Sequence, residues 1–167
     1  LMLRKTAEIL DAIRTVWASL WSDGALLYRQ ELNLDPGKSS MAVILQEMVV
    51  GDVSGVLFSR APQNRNVMMV EAVWGLNQAL VDGVVEPDRW QLDRASGQVV
   101  EKHQAQHQAA LRPASCGVVL SPLDEQEQGR SPLNPSRCSQ LHQAALELEE
   151  LLGYPIDLEW TFSGEEL

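Results

Sequence analysis

Three apolar runs set close together place the strongest limit on the fold. Residues 41–50 read MAVILQEMVV, 53–60 read VSGVLFSR and 67–73 read VMMVEAV. Each has strand length and is rich in aliphatic and β-branched side chains. The links between them, Gly51-Asp52 and Gln63-Asn64-Arg65-Asn66, are short and made of turn-forming residues. A parallel crossover needs a dozen or more residues, so links this short reverse the chain. The expectation is an antiparallel meander.

Helical patterning brackets these runs. Ile9, Ile13, Val16, Trp17, Leu20 and Trp21 recur at three- and four-residue steps, which gives one apolar stripe. Ser22-Asp23-Gly24 interrupts it before a shorter helical piece through Leu27 and Tyr28, and Asp35-Pro36-Gly37 marks a turn. Residues 75–81 predict a short helix stopped by Gly83, and residues 90–93 and 98–101 a small hairpin around Ala95-Ser96-Gly97. From 103 to 130 the chain turns polar and Gln-rich, a surface excursion with room for one short helix. Asn134-Pro135 then caps and starts a helix whose buried face is Leu141, Ala145, Leu148 and Leu152, with Gly153 as its stop. Residues 154–162, YPIDLEWTF, alternate as a closing strand. Strands and helices interleave without regular parallel units, so the fold class is α+β. It divides into a helical lead-in (1–34), central strands with a short helix (41–101), the excursion (102–133) and a helix with the closing strand (134–167).

Composition narrows the function. A chain of 167 residues that is 45% hydrophobic can bury a core. Its 13 basic and 23 acidic residues give a formal charge of −10, which argues against nucleic acid or an anionic membrane as partner. No apolar run approaches the roughly 20 residues that span a bilayer. Arg4, Lys5, Glu8, Asp11 and Arg14 rule out a signal-peptide pattern at the start, where a helical pattern is already under way. The expectation is a cytoplasmic fragment of a longer protein, with Cys116 and Cys138 as reduced thiols.

Some side chains invite chemistry. Asp157 and Glu159, two apart on the closing strand, point to one face. Two neighbouring carboxylates repel unless a cation sits with them, and Mg²⁺ takes one or two carboxylates plus phosphate oxygens. A solvated strand face has the same spacing. Gln46 interrupts an apolar run, where its amide needs partners; it could meet an adenine edge or point outward from an edge strand. Glu71 shares that tension at the end of VMMVEAV. Arg60 closes a strand, where its fork could grip phosphate, although surface arginines are common there. His103 and His107 have the spacing of a two-histidine metal site, but with no third ligand nearby an exposed helix is the expectation. No GxxxxGK[ST], GxGxxG or GxSxG occurs.

Four segments, in order, resemble the ATP-binding domain shared by phosphoenolpyruvate synthase, pyruvate phosphate dikinase and rifamycin phosphotransferase. They are ASLWSDGALLYR, AVILQEMV with SGVLFSRAP, VEAVWGLNQALVDGVVEPDRW, and PIDLEW. The resemblance implies an ATP-grasp fold, whose α+β lobes clamp Mg-ATP, represented here by mostly antiparallel sheet and flanking helices, incomplete at both ends. It implies that Gln46 contacts the nucleotide near its base, that Glu159 meets ATP or Mg²⁺ with Asp157 beside it, and that Arg60 and Glu71 match family positions. It further implies that ATP phosphorylates a histidine on another domain of the same protein, which carries the phosphoryl group to a pyruvate domain. None of His103, His107 or His142 lies in the family's acceptor context, so that histidine is expected outside this chain. Where the family has Gly-Leu-Gly-Glu, this chain has Gly75-Leu76-Asn77-Gln78. A rifamycin-type acceptor and a degenerate, non-catalytic nucleotide-binding module are the alternatives.

Overall fold

The computed structural model describes Leu3, residues 5–115 and residues 117–167. Arg4 and Cys116, invoked above, lie outside the described residues. The chain forms two compact units, Leu1–Met48 and Val49–Leu167.

The first unit holds α1 (Thr6–Ser19), α2 (Asp23–Glu31) and a 3-10 turn (Pro36–Lys38). The break between the helices falls where the sequence puts it. The Ser22 hydroxyl accepts the Ala25 N–H at 3.4 Å, capping α2. The Asp35 carboxylate accepts the Gly37 N–H at 2.9 Å in the following turn. The apolar stripe of α1 is only partly covered: Ile9, Ile13, Val16 and Leu20 are half-buried, while Trp17 and Trp21 are 54% and 56% exposed. Arg29 is the one buried residue among those described in this unit. Its guanidinium donates to the Leu20 carbonyl and lies over the Trp21 ring at 5.7 Å.

Residues 41–50 do not form the expected strand. Apolar composition favours extended backbone, but a strand exists only through a ladder partner. No described residue supplies one, and Ile44 and Leu45 stand 82% and 65% exposed.

In the second unit, β1 (Val53–Phe58), β2 (Val67–Trp74), β3 (Asp88–Asp93), β4 (Val99–His103) and β7 (Asp157–Phe162) make an antiparallel sheet in the order β4-β3-β2-β1-β7. The central strand β1 thus pairs on both sides, with β2 and with the closing strand β7. Alternation sorts the side chains into two faces. Val53 and Leu57, Met68, Val70 and Ala72, Trp90 and Leu92, and Trp160 and Phe162 turn to one face. They form the core together with Leu133, Cys138, Leu141 and Ala145. The last three lie on α4 (Pro135–Leu152). That helix begins and ends on the expected residues. Asn134 accepts the Arg137 N–H at 2.8 Å, and Gly153 takes the left-handed φ of 78° that stops it. Leu148 and Leu152, expected on its buried face, are 36% and 48% exposed. Burial pushes the Cys138 thiol up to about 11, as expected for a packing residue rather than a reactive one.

The polar stretch from 103 onward also differs from expectation. It contains a two-stranded hairpin, β5 (Ala109–Pro113) and β6 (Val118–Pro122), and no helix places His103 and His107 on one face. Between β2 and β3 lies the short α3 (Gln78–Val81). It follows Gly75, whose φ of 75° and close approach to the Leu111 carbonyl (2.3 Å from where a Cβ would sit) leave room for no side chain.

Candidate functional site

The face of the sheet away from the core carries Arg89, Gln91, Glu71, Asp157 and Glu159 among the apolar Val56, Phe58, Met69 and Val73. Register aligns them in cross-strand rows. One row runs Arg89, Glu71, Val56, Glu159 from β3 to β7. The next runs Gln91, Met69, Phe58, Asp157. Adjacent strands lie about 4.8 Å apart, so Glu71 and Glu159 flank Val56 with about 10 Å between their backbones. The fold therefore brings Glu71, Asp157 and Glu159, distant in sequence, onto one surface.

Their electrostatic states differ. Glu71 is 16% exposed at its side chain and accepts Arg89 Nε at 2.7 Å, so its charge is matched. Asp157 and Glu159 are exposed, and no described residue gives either carboxylate a hydrogen bond or an ion pair. They form an unmatched anionic pair on the edge strand. The described residues hold no cluster of three metal-ligating side chains. The arrangement suits a cation that takes two carboxylates and completes its shell with phosphate and water oxygens, as Mg²⁺ does.

Arg60 is elsewhere. Its Nε and Nη2 donate to Glu149 Oε1 on α4 at 3.1 and 2.8 Å. Arg94 donates to both oxygens of the same carboxylate, at 2.8 and 3.2 Å, and to the Ser59 carbonyl at 2.6 Å. Burial alone would raise the Glu149 carboxyl, but hydrogen bonds from Arg60, Ser59 and Arg94 outweigh it and hold it at about 2. Because the folded value lies below the ordinary 4.5, this contribution to stability is complete above pH 4.5 and is lost as pH falls toward 2. Glu149→Gln should flatten the acid limb of a melting-temperature against pH curve in that window. An unchanged acid limb would mean that other carboxylates dominate it.

Gln46 lies in the first unit, exposed and outside any strand, so its amide is in contact with solvent rather than buried within a sheet. His107 is not on an exposed helix. Its side chain is 3% exposed, and its Nε2 donates to the buried Asp88 carboxylate at 2.7 Å. His103 closes β4, 63% exposed, 4.0 Å from Glu86. His142 Nε2 donates to the Arg94 carbonyl at 2.9 Å. At Asn77 the backbone is right-handed helical, φ −58°, so an asparagine there requires no unusual conformation. Both polar atoms of its amide are buried without a protein partner, and Gln78 bonds Asp82 at 3.1 Å.

Sequence reasoning missed Arg89 and the Arg94–Glu149 contact. The first depends on register between strands, which composition does not encode. The second had a signal. Glu147, Glu149 and Glu150 crowd the end of a helix, where the dipole disfavours acids and a cationic partner is expected.

Residues 1–167 match the family described as pyruvate phosphate dikinase, AMP/ATP-binding domain. Relatives include a probable phosphoenolpyruvate synthase of Pyrococcus abyssi, 29% identical over 95% of this chain and 20% of that protein. A rifampicin phosphotransferase of Bacillus subtilis is 33% identical over 94% of the chain and 18% of its own length. The prodigiosin synthesizing transferase PigC of Serratia marcescens is 30% identical over 100% of the chain and 19% of its length. The chain thus spans about a fifth of the curated relatives it matches. An α+β unit with a mainly antiparallel sheet, matched along its whole length, belongs to the pyruvate phosphate dikinase AMP/ATP-binding domain family.

Proposed function

We propose that this chain supplies part of the Mg-ATP cradle of a phosphoenolpyruvate-synthase-type phosphotransferase, with the core-distal sheet face as its contact surface. The observation that carries the reading is the contrast on that face. Glu71 has its arginine, whereas Asp157 and Glu159, three to five residues before the end of the same sheet's edge strand, have no cationic partner among the described residues. Asp157 and Glu159 would hold the metal, which would offset the phosphate charge of the nucleotide. Glu71, fixed by Arg89, borders the same surface without adding net charge. Arg60 is assigned no phosphate contact because Glu149 already occupies its fork.

The acceptor chemistry belongs to the rest of the protein. ATP would phosphorylate a histidine outside this chain, and that group would pass to pyruvate, in a cytoplasmic enzyme. The histidines here support this. His107 is sealed against Asp88, and His142 is bonded on α4. His103 is on β4, four strand spacings or about 19 Å from β7. Among the described residues no helix is long and apolar enough to cross a membrane. Relatives named for rifampicin align over the same portion of the chain, which favours a shared nucleotide cradle and leaves an antibiotic acceptor as the second reading.

Calorimetric titration with ATP tests the reading. Binding should be weak, should require Mg²⁺ and should weaken about 10- to 100-fold in Glu159→Gln, the range for loss of a bond to a charged group. Binding that is indifferent to Mg²⁺ or to Glu159→Gln would sink it.

A further inference from the structure

The carboxylates at the start of β7 stand on a connection with little packing beneath it. After α4 stops at Gly153, the residues Gly153, Tyr154 and Pro155 are exposed and line an open cavity of about 510 Å³ shared with Arg60, Arg94, Leu146 and Glu149. Ile156, 6% exposed, is the first residue to bury, and Asp157 follows it directly. The course of this segment is therefore set by a few polar bonds. Ser59 N–H donates to the Ile156 carbonyl at 2.9 Å, and Ile156 N–H donates to the Ser59 hydroxyl at 2.9 Å. The Ser59 carbonyl accepts Arg94, and the next residue, Arg60, joins Arg94 on Glu149 at the last turn of α4. One carboxylate, its side chain 11% exposed, thus ties the ends of β1, β3 and α4 together beside the first residue of β7.

We infer that Glu149, gripped by Arg60 and Arg94, is a positioning residue for Asp157 and Glu159. It fixes where β7 begins and so where the two carboxylates stand on the sheet face. β7 has a ladder partner on one side only, β1, so its start is held by β1 and by this clamp. The clamp does not touch nucleotide and gives Arg60 a role through Glu149 rather than through phosphate. The inference rests on the proposed cradle, and two readouts separate the two claims.

In the full chain, Glu149→Gln keeps the shape of the side chain and removes its charge, and Arg60→Lys keeps a charge while losing the fork. Mg-ATP affinity is measured for each variant alone and combined with Glu159→Gln, and amide hydrogen exchange is followed at Ile156. The expectation is a loss of about tenfold in affinity for Glu149→Gln, the usual scale for groups that support metal-binding side chains. Arg60→Lys should lose less. Neither loss should add to that of Glu159→Gln, and exchange at Ile156 should speed up in Glu149→Gln. A purely stabilising clamp would lower the melting temperature and leave affinity unchanged, which overturns the inference. So does an Arg60→Lys loss that adds in full to Glu159→Gln, because that marks a direct phosphate contact. If Glu159→Gln itself leaves affinity intact, the cradle fails. Faster exchange at Ile156 in Glu149→Gln would then still support the clamp at the start of β7, and unchanged exchange would overturn it.

Discussion

Asp88→Ala should cost about 3–5 kcal/mol, the range for removing one partner from a buried charged network. Asp88 opens β3 and is fully buried, with 0% of its surface exposed. It accepts Ala105 N–H at 2.9 Å, His107 Nε2 at 2.7 Å and the Ser131 hydroxyl. Those donors come from two separate stretches of the polar segment, so one carboxylate fastens that segment to the end of the sheet. Burial alone would raise the Asp88 carboxyl, but bonds from His107, Ser131 and Ala105 outweigh it and leave it below the ordinary carboxylate value. Its contribution is thus present above the ordinary carboxylate range and is lost on acidification. Truncation leaves His107 and the Ala105 N–H buried, and the Ser131 hydroxyl half-buried, without that acceptor. Asp88→Asn keeps an oxygen for two of the three and should cost about 1–2 kcal/mol. Chemical denaturation checks the order, and equal losses for Ala and Asn would mean that packing rather than charge sets the effect.

Gly55→Ala should be nearly as severe, at about 3 kcal/mol, or roughly 10 °C in melting temperature for a domain of this size. Gly55 sits in the middle of β1 with strands on both sides. A Cβ there would fall 1.9 Å from the Glu71 carbonyl and 2.5 Å from the Trp160 ring. The first is backbone held in the ladder and cannot swing away, so β1 and β2 must separate. The same residue touches the neighbours of both Glu71 and Glu159, so Mg-ATP binding should weaken along with stability. A melting temperature within a degree or two of wild type would contradict the tight approach of β2 and Trp160 to Gly55.

Much of the fold was legible because its signals are local. Asn134 and Gly153 carry their own cap and stop chemistry, and the alternation in DLEWTF assigns Leu158, Trp160 and Phe162 to the core without reference to a partner strand. Residues 41–50 misled because their aliphatic composition is a preference, whereas the ladder that makes a strand is non-local. His107 misled for a similar reason. A Gln-rich neighbourhood suggests solvent, but the decisive partner, Asp88, lies 19 residues away. At the candidate site, the two-residue step of Asp157 and Glu159 was readable. That Glu71 shares their face, and that Arg60 is drawn off to Glu149, depends on register and on helix placement. The family resemblance supplied the nucleotide; the geometry then divided the candidates into a face and a clamp.

Mn²⁺ is a hard divalent cation that oxygen sites for Mg²⁺ accept, and its unpaired electrons broaden nearby amide signals. The most direct test is therefore an NMR titration of the chain with Mn²⁺ and ATP. Broadening should centre on residues 157–159 of β7, extend to Val56 and Glu71 across the sheet, and vanish from β7 in Glu159→Gln. Broadening centred on Glu149, on the acidic end of α4 or on the polar segment after His103, with β7 untouched, would contradict the assignment of this face.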